Sequence, residues 1–533
     1  MRLALLLALA GVLACTPSGE ENAADGKAPA DPQPLCTPSS NLVDKAVCPR
    51  LRASGCATMP LAPTSELCRR LFVDLTGAAP TLEEVQSTCA EKDARAIASA
   101  LMETPAYARQ ARELWGEILD YDAAQINGRW LGDADLLVTE LVTGRMPYDT
   151  FAKRILGHPV FGVGGRMPRS DLANDDDRYF PQVARLATKV FLGRATIAGE
   201  DVALGKLFRF WKKRNVIINV DYGRTDPLLD PSACPCQTSA FGVATTITLP
   251  LTGTLPYEDV ADGTPELRAE LDKVGALFAT QDSFWTQAVD LAMRMTLGWW
   301  KSTRNQDESM LPEVQAALAD SLRSSPARSW RDLVLEIVTS ELYVRSNRLD
   351  ANAPDDLPPW CMGPLRVMRP EAYVSSVGKL LGVHVGRCDH RTSEKIDRPH
   401  YPDGTEGSFF PGDLREDEPS DAAILGVADY HWVAAHSMGG CTGGAARSED
   451  PTLPIVFGAA PVAQKLCAVS PSIASADAEH LSLLLRGRAQ TATERDAIAK
   501  DASRCAASRT CNARTRSVDM CASIARSIDA MTY

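Results

Sequence analysis

The amino terminus of this sequence lacks an apolar run long enough to cross a membrane. The run at residues 3–14 holds 12 residues, whereas a membrane-spanning helix needs about 20. It follows one basic residue, Arg2, and ends in small residues before Cys15. This pattern is typical of a secretory signal that is removed from the mature protein, so we expect the mature chain to leave the cytoplasm.

Two informative cysteine spacings are also absent. The sequence contains neither CxxC nor CxxCH, the strongest signatures of zinc and haem sites. It does contain 15 cysteines, and the 14 that remain after Cys15 are compatible with up to seven disulfides in an oxidising compartment. Because cysteines cluster near both ends of the mature chain, we expect disulfides to staple the terminal regions. Cys234 and Cys236 are the expected exceptions, since such close neighbours are hard to pair without strain.

Positive charge is scarce as well. The densest basic stretch is the KKR at residues 212–214, and 56 Lys and Arg are outweighed by 68 Asp and Glu, for a net charge of −12. A protein that binds nucleic acid needs a basic patch, so we expect no nucleic-acid partner. The chain has 533 residues, which is more than a single hydrophobic core usually organises. The length therefore predicts two or three domains.

The residues around Cys15 predict lipid attachment. Val12, Leu13, Ala14 and Cys15 resemble a lipobox, in which the cysteine becomes the new N-terminus and its thiol carries a diacylglycerol. Acyl chains anchor a protein at about 0.8 kcal/mol for each buried methylene. The residue after Cys15 is Thr16, not the aspartate associated with retention in the inner membrane. We therefore expect the lipid to anchor the protein in the outer membrane. An ordinary secretory signal cleaved nearby is the alternative.

Hydrophobic periodicity predicts a mainly α-helical fold. Thr81 and Glu84 form a capping-box pattern, so a helix should begin there. Apolar residues at 284, 288, 291 and 295 recur at spacings of four, three and four, which places them on one helix face. Residues 330, 333, 334 and 337 repeat the same period. Such stripes are typical of a buried core.

We predict two helical modules joined by an irregular segment with a few short strands, and disulfide-stapled termini. The strands are expected in the connecting segment, which includes the β-branched stretch at 243–249. The predicted divisions are a lipoprotein signal peptide at 1–15, a disordered tether at 16–40, a first helical module at 41–214, the connecting segment at 215–270, a second helical module at 271–386, a Gly-, Asp- and His-rich irregular segment at 387–454 and a C-terminal helical region with clustered cysteines at 455–533.

Several phrases resemble a pair of domains of unknown function from planctomycete surface proteins. Two segments resemble the first domain, which is associated with planctomycete-type cytochromes: RRLFVDLTGAAPT at 69–81 and RMPYDTF at 145–151. Three segments resemble its usual C-terminal partner: DSFW at 282–285, PEV at 312–314 and IVTSELY at 337–343. The resemblance implies an α-rich protein of two modules. Neither domain has an established activity, so the resemblance implies no reaction.

The sequence departs from the first domain's pattern after residue 193. The family carries a cysteine and histidine cluster after the FLG phrase, which stands at 191–193 here. No Cys or His occurs from residue 192 to residue 233. This stretch therefore offers neither thiolate nor imidazole to bind iron. We expect no haem and no other cofactor.

Two enzyme sites stay open as alternatives. The AHSMGG string around Ser437 resembles the nucleophile elbow of certain lipases, with His480 as the downstream histidine. The alternating strands and helices of a hydrolase fold are missing before Ser437, however. The second candidate is a metal site, because imidazoles bind zinc and other transition metals. Its candidate ligands are His390, His400, His431 and His436, which no HxxxH or HExxH spacing preorganises.

Together these observations favour a lipid-anchored protein of the cell envelope that binds or scaffolds, without haem and without catalysis. Its expected partners are the membrane, through the lipid on Cys15, and another envelope protein. The alternative is an envelope hydrolase that depends on a metal in the histidine-rich segment or on Ser437.

Overall fold

Helices dominate the structure, as the periodicity predicts. The computed structural model describes residues 40–54, 56, 60–90, 92–119, 128–156, 176–196, 199–208, 245–248, 254–257, 274–298, 309–347, 358–383, 453–470, 478–488, 490–507 and 512–531. All of these residues belong to one unit, Leu35–Tyr533. The prediction of a mainly α-helical fold is confirmed.

Most of the helices are short. In chain order they are α1 (Leu42–Ala53), α2 (Thr64–Thr76), α3 (Leu82–Glu84), α4 (Ala94–Met102), α5 (Pro105–Ile118), α6 (Gly128–Val142), α7 (Tyr148–Leu156), α8 (Asp176–Leu192), α9 (Glu200–Phe208), α10 (Asp282–Thr296), α11 (Pro312–Ser324), α12 (Trp330–Val338), α13 (Glu341–Val344), α14 (Pro370–Leu380), α15 (Leu453–Val469), α16 (Ala478–Arg486), α17 (Ala492–Ala507), α18 (Ala513–Ala525) and α19 (Ile528–Met531). None of those helices is both long enough and apolar enough to cross a bilayer.

A few other elements connect the helices. A π-helix, Val85–Cys89, continues α3, and a 3-10 turn occupies Pro359–Cys361. Strands β1 (Thr245–Thr248) and β2 (Thr254–Tyr257) pair in antiparallel fashion.

Local side-chain contacts explain where several helices begin and end. Asn41 caps α1 by accepting from a first-turn amide at 2.8 Å. Thr81 accepts from the Glu84 amide at 3.2 Å while the Glu84 carboxylate accepts from the Thr81 amide at 2.7 Å, so the predicted capping box is present. Helix α2 ends at Gly77 with φ +75°, where an added Cβ would come within 2.3 Å of Gln110 Oε1. The positive φ strains any residue that carries a side chain at this helix end.

Both predicted apolar stripes are buried. On α10, Phe284, Ala288 and Leu291 are buried, and Met295 packs partly buried against the same core. On α12 the buried side chains are Trp330, Leu333, Val334 and Ile337. The two stripes face one shared core, which we call the first core: mainly the buried side chains contributed by α1, α2, α4 through α13, the π-helix and the turn at Pro359–Cys361.

Aromatic rings fill the centre of the first core. Trp115 on α5 lies edge to face with Phe151 on α7 and with Trp330 on α12, at centroid distances of 4.9 and 5.1 Å. Tyr148 lies 5.0 Å from Phe284 and 5.8 Å from Trp330. Aromatic pairs of this kind contribute roughly 0.5–1.5 kcal/mol each beyond the area they bury. The rings thus join helices from both predicted modules.

One residue in an unusual backbone conformation holds the phrase at 145–151. Arg328 has φ +44°, in the left-handed region that few residues other than glycine adopt. Its carbonyl accepts from the Tyr148 amide at 3.0 Å, and its guanidinium pairs with Asp149. The guanidinium also lies over the Trp285 ring at 5.7 Å. These contacts hold Arg328 in its conformation and fix the start of α7.

A second core lies toward the C-terminal end. It is formed by buried side chains of α14, α15, α16, α18 and α19, and most of them are small or aliphatic, such as Leu466 and Ala525. Helix α2 contributes to both cores, because Phe72 and Leu75 pack into the first and Val73 packs into the second. The two cores therefore meet at α2.

Among the described residues, three disulfides have both of their cysteines described. Cys68–Cys89 closes 21 residues, and Cys467–Cys521 ties α15 to α18 across 54. Cys56–Cys361 joins positions 305 residues apart. Cys48 is disulfide-bonded as well. Disulfides predicted from the cysteine count are thus present, whereas Cys234 and Cys236 lie outside the described residues.

The predicted arrangement of two helical modules is not confirmed. Helices from residues 41–214 and from residues 271–386 share the first core. Helix α14, within the second predicted range, packs into the second core instead. Short amphipathic helices can bury their apolar stripes against any neighbour, and here the neighbours come from distant parts of the chain.

Candidate functional site

Most residues predicted for chemistry lie outside the described residues. These are Cys15, Ser437, His390, His400, His431 and His436. His480 is described, and it is exposed on α16. Within the described ranges, His, Cys, Asp and Glu side chains form no group of three or more that could hold a metal ion. The enzyme sites therefore stay predictions.

The charged residues of α2 form a buried network. The Arg70 guanidinium donates to the Tyr343 and Arg345 carbonyls, the latter at 2.9 Å, and pairs with Glu66 at 2.9 Å. Glu66 also accepts from the Asn347 amide at 2.9 Å. A buried charge is tolerated only when it is paired and hydrogen-bonded, and Glu66 supplies that pairing for Arg70. This network holds α2 against the segment around α13.

Asp74, one turn further along α2, makes the next contact of the same network. Its carboxylate accepts from the Tyr343 hydroxyl at 2.7 Å and from Arg366 at 2.9 Å. The Asp74 side chain is 2% exposed. Arg366 also donates to the Met295 carbonyl. Positions 66, 70 and 74 lie on one helix face. The contacts of Arg70 and Asp74 with Tyr343 therefore hold the segment at 69–81 against the segment at 337–343.

Arg345 is buried beside this network. It donates to the Cys56 carbonyl at 3.0 Å and to the Glu341 carboxylate at 3.4 Å. Burial lowers the pKa of Arg345, while the negative charges of Glu341 and Asp44 act in the opposite direction. Gly363 packs so close that an added Cβ would come within 1.9 Å of the Arg345 carbonyl oxygen. A side chain at position 363 would therefore force the backbone of this segment to move.

A cleft opens next to the buried network. Its volume is about 370 Å³, within the range of small-ligand sites, roughly 300–1,000 Å³. Helices α2, α3 and α16 contribute its walls, and Leu82 and Leu483, on different walls, are each 39% exposed. The residues that line the cleft are Pro63, Ser65, Glu66, Arg69, Pro80, Leu82, Val85, Leu483, Gly487 and Arg488.

Helix α2 presents its N-terminal end to this cleft. Pro63 precedes the helix and supplies no side-chain cap. The amides of a first helical turn carry partial positive charge. Arg69, one turn further, also lines the cleft, and its guanidinium donates to the Leu485 and Ala530 carbonyls at 3.0 and 3.1 Å. Arg69 thereby fixes α16 and α19 beside the cleft.

Arg488 lines the cleft and belongs to a cluster of three charges. The Glu494 carboxylate accepts from Arg488 at 2.9 and 2.8 Å and also from Arg486. The bonds from Arg488 hold the pKa of Glu494 well below its usual range, against the opposing effect of burial. Glu494 is therefore ionised at neutral pH. Two guanidiniums against one carboxylate leave the cluster with a net positive charge.

The cleft is suited to binding more than to proton transfer. Its carboxylate, Glu66, is engaged by Arg70, Ser346 and the Asn347 amide. A general acid or base needs a carboxyl group that can reach the reacting atom, and Glu66 is turned to its partners instead. The remaining walls are largely aliphatic. This arrangement can enclose a mainly apolar ligand.

Sequence reasoning did not single out the cleft. Arg69 contacts the carbonyl of Leu485, which lies 416 residues away in the sequence. Arg69 belongs to the segment at 69–81 that resembles the cytochrome-associated domain, and this resemblance was the available sequence signal for Arg69. Nothing in the phrase, however, indicates that α16 lies against it.

Comparisons with known proteins bear on the first helices. The comparison with curated proteins and the comparison with solved structures each returned no significant match. A family model described as PSCyt2, a protein of unknown function (DUF1549), matches residues 42–163. This span includes α1 through α7 and both phrases that resemble the planctomycete cytochrome-associated domain. The match supports the assignment of residues 42–163 to this domain of unknown function.

Proposed function

We propose that this protein is a lipid-anchored component of the cell envelope that binds or scaffolds, without catalysis and without haem. The observation that carries the proposal is the cleft between α2, α3 and α16. Its walls are largely aliphatic, and its charged residues are committed to ion pairs and to backbone contacts between helices. A site of this composition recognises a ligand by shape and charge.

Export to an oxidising compartment is supported by the disulfides. Disulfides persist outside the cytoplasm, where thiols are not kept reduced. Cys56–Cys361 and Cys467–Cys521 join buried cysteines from different elements. Together with the apolar run before Cys15, they favour export to the cell envelope.

The partner domain is part of the same proposal. We assign the second helical module, 271–386, to the usual C-terminal partner of the cytochrome-associated domain. The contacts of Arg70 with the Tyr343 and Arg345 carbonyls support this assignment, because they join the phrase typical of one domain to the phrase typical of the other.

Metal analysis and active-site labelling separate this proposal from the envelope hydrolase. We expect elemental analysis of the purified mature protein to find no stoichiometric metal, and a fluorophosphonate probe to label no serine. A label that is lost in Ser437→Ala but retained in Ser470→Ala would assign the serine hydrolase. Stoichiometric zinc that is lost in His431→Ala/His436→Ala would assign the metal-dependent one.

Fractionation tests the anchor. We expect Cys15→Ala to move the protein from the membrane pellet to the soluble fraction, because the thiol that carries the lipid is gone. Ser18→Ala, three residues along the tether, is the control and should stay with the membrane. A Cys15→Ala protein that still sediments with membranes after a high-salt wash would show that Cys15 is not the anchor.

A further inference from the structure

We infer that the exposed face shared by α15 and α18 is a basic surface that contacts the anionic head groups of the membrane. The inference deepens the proposed function, on which it rests, because it gives the folded part of the chain a membrane contact of its own. Three features carry it: one continuous exposed face on two helices, cations on that face without acidic partners, and a reversal of charge relative to the rest of the chain.

The exposed side of α18 and of the residues that flank it forms a regular helical stripe. Exposed side chains recur at spacings of four, three, four and three, which places them on one helix face. They are Asn512, Arg516, Asp519, Ser523 and Arg526. The opposite side of α18, which includes Val518 and Cys521, is buried in the second core. The stripe is therefore the solvent side of a packed helix.

Helix α15 extends this surface. Gln464 and Lys465 are exposed on α15, and the Gln464 amide donates to the Asp519 carboxylate at 3.1 Å. Arg514, exposed at the start of α18, donates to the Ala468 carbonyl at 3.0 Å. The exposed sides of the two helices thus join. We call this surface the basic face; its side chains are Gln464, Lys465, Asn512, Arg514, Arg516, Asp519, Ser523 and Arg526.

The basic face carries four cations and one carboxylate. Among the described residues, Lys465, Arg516 and Arg526 form no ion pair. Exposed arginines on helices of the first core differ, because several of them pair with a carboxylate from another helix, as Arg95 does with Glu336 at 2.6 Å. Those charges are neutralised within the fold. The excess charge of the basic face is left for an anion outside it.

The sign of the net charge reverses toward the C-terminal end. Residues 453–533 contain 10 Lys and Arg against 7 Asp and Glu, whereas the remaining residues contain 46 against 61. An anionic surface attracts the first region and repels the second. The field of such a surface therefore turns α15 and α18 toward it.

The proposed lipid anchor keeps the folded part of the chain close to such a surface. Residues 16–40 separate Cys15 from the start of the described chain. A segment of this length spans at most about 90 Å even when fully extended. Tethering raises the effective concentration of the basic face at the membrane, so a contact made by a few charges is sufficient there.

The side chains of the basic face favour head groups over a folded protein partner. Stable protein interfaces are centred on large apolar or aromatic anchors. The side chains of the basic face are charged, polar or small instead. Lipid head groups supply many negative charges that adapt to cations spread over two helices. We therefore expect contact with the head groups without insertion into the bilayer.

Co-sedimentation with vesicles tests the inference on the full mature chain carrying Cys15→Ala, which has no lipid of its own. We compare vesicles of phosphatidylglycerol and phosphatidylcholine in equal parts with vesicles of phosphatidylcholine alone. The anionic vesicles should bind the protein at least tenfold more tightly in about 50 mM salt, and the difference should vanish in about 500 mM salt, where the charges are screened.

Two results would overturn the inference. Equal binding to both kinds of vesicle would show that charge does not govern the contact. Binding to neither would show that the basic face does not contact head groups; capture of the same protein by polyglutamate at low salt would then assign the face to an acidic protein.

Charge reversals locate the contact. Lys465→Glu/Arg516→Glu changes the basic face, and we expect it to weaken binding to anionic vesicles at least tenfold. Lys45→Glu/Lys189→Glu makes the same change in net charge on α1 and α8, at exposed cations that form no ion pair among the described residues, and should leave binding within about twofold. Circular dichroism checks that both variants fold. Equal weakening in both would show that net charge matters and the basic face does not.

These results are independent of the anchor. The vesicle experiments use a chain without lipid, whereas fractionation asks whether Cys15 carries one. Because the contact is lost at high salt, it does not hold the Cys15→Ala protein on membranes through the salt wash. Failure of the basic face therefore leaves the lipid anchor standing, and failure of the anchor leaves the vesicle results unchanged.

Discussion

The two cores of this protein contain different kinds of side chain. The first core is centred on Trp115, Tyr148, Phe151, Phe284 and Trp330, whose rings contact one another across four helices. In the second core, Tyr373 is the aromatic member among the described residues, and alanine, valine and leucine supply most of the rest. Large rings lock their neighbours by shape, whereas small side chains let helices approach closely.

The difference shows how one helix can serve two environments. Helix α2 contributes apolar residues to both cores, while Glu66, Arg70 and Asp74 on a further face hold the segment around α13. Arg69 reaches from the same helix to α16 and α19. The cleft lies at this junction, with α2 in one wall and α16 of the second core in another.

The largest expected effect is on the aromatic core. Trp330→Ala removes a fully packed ring and should lower the free energy of unfolding by about 3–5 kcal/mol. Leu466→Ala, at a buried position in the second core, should cost about 2–4 kcal/mol. Denaturant unfolding followed by near-ultraviolet circular dichroism, with disulfides intact, measures both. A larger loss for Leu466→Ala would contradict the view that the rings dominate.

The buried network should give the next largest effect. Asp74→Asn removes the charge that pairs with Arg366 and leaves that guanidinium without its carboxylate, so we expect a loss of about 2–3 kcal/mol. Asp282→Asn breaks a surface pair with Arg323, in which the aspartate is 86% exposed, and should cost less than about 1 kcal/mol. Thermal unfolding compares the two. Similar losses of stability in the two variants would show that burial does not make the Asp74–Arg366 pair contribute more than a surface pair.

The smallest effect concerns pH and the cluster at Arg488. Folding lowers the pKa of Glu494, so its contribution to stability is present above the unfolded pKa, near 4.5, and is lost as the pH falls toward the folded pKa. Glu494→Gln should therefore be less stable than the natural protein at pH 7, by at most about 1 kcal/mol because the site is partly exposed.

The pH difference has a direct control. The gap between Glu494→Gln and the natural protein should shrink as the pH is lowered below 4.5. Asp496→Asn changes the net charge equally at an exposed position on α17, and we expect it to leave the stability at pH 7 unchanged. A gap for Glu494→Gln that stays constant down to strongly acidic pH would contradict the ion-pair origin.

Local structure followed from local sequence. The capping box at Thr81 and Glu84 and the stripes on α10 and α12 are present because they depend on contacts within one or two helical turns. The predicted helix at Thr81, however, runs only three residues before it becomes a π-helix. Exact helix lengths depend on packing that no short pattern contains.

The arrangement of modules and the site could not be predicted in the same way. Arg70 and Asp74 belong to a recognisable phrase, but their partners at Tyr343 and Arg366 lie far along the chain. Sequence patterns give the face on which a charge lies and not the element that it meets. The sharing of the first core by both predicted modules was missed for the same reason.

The helical character, the buried stripes and the presence of disulfides could be predicted, because each depends on composition or on short-range spacing. The pairing of Cys56 with Cys361, the meeting of two cores at α2, and the cleft lined by Leu82 and Leu483 became visible in the folded structure alone. These are contacts between residues hundreds of positions apart. They arise when many weakly specified helix faces are buried together, and no single stretch of sequence encodes that choice.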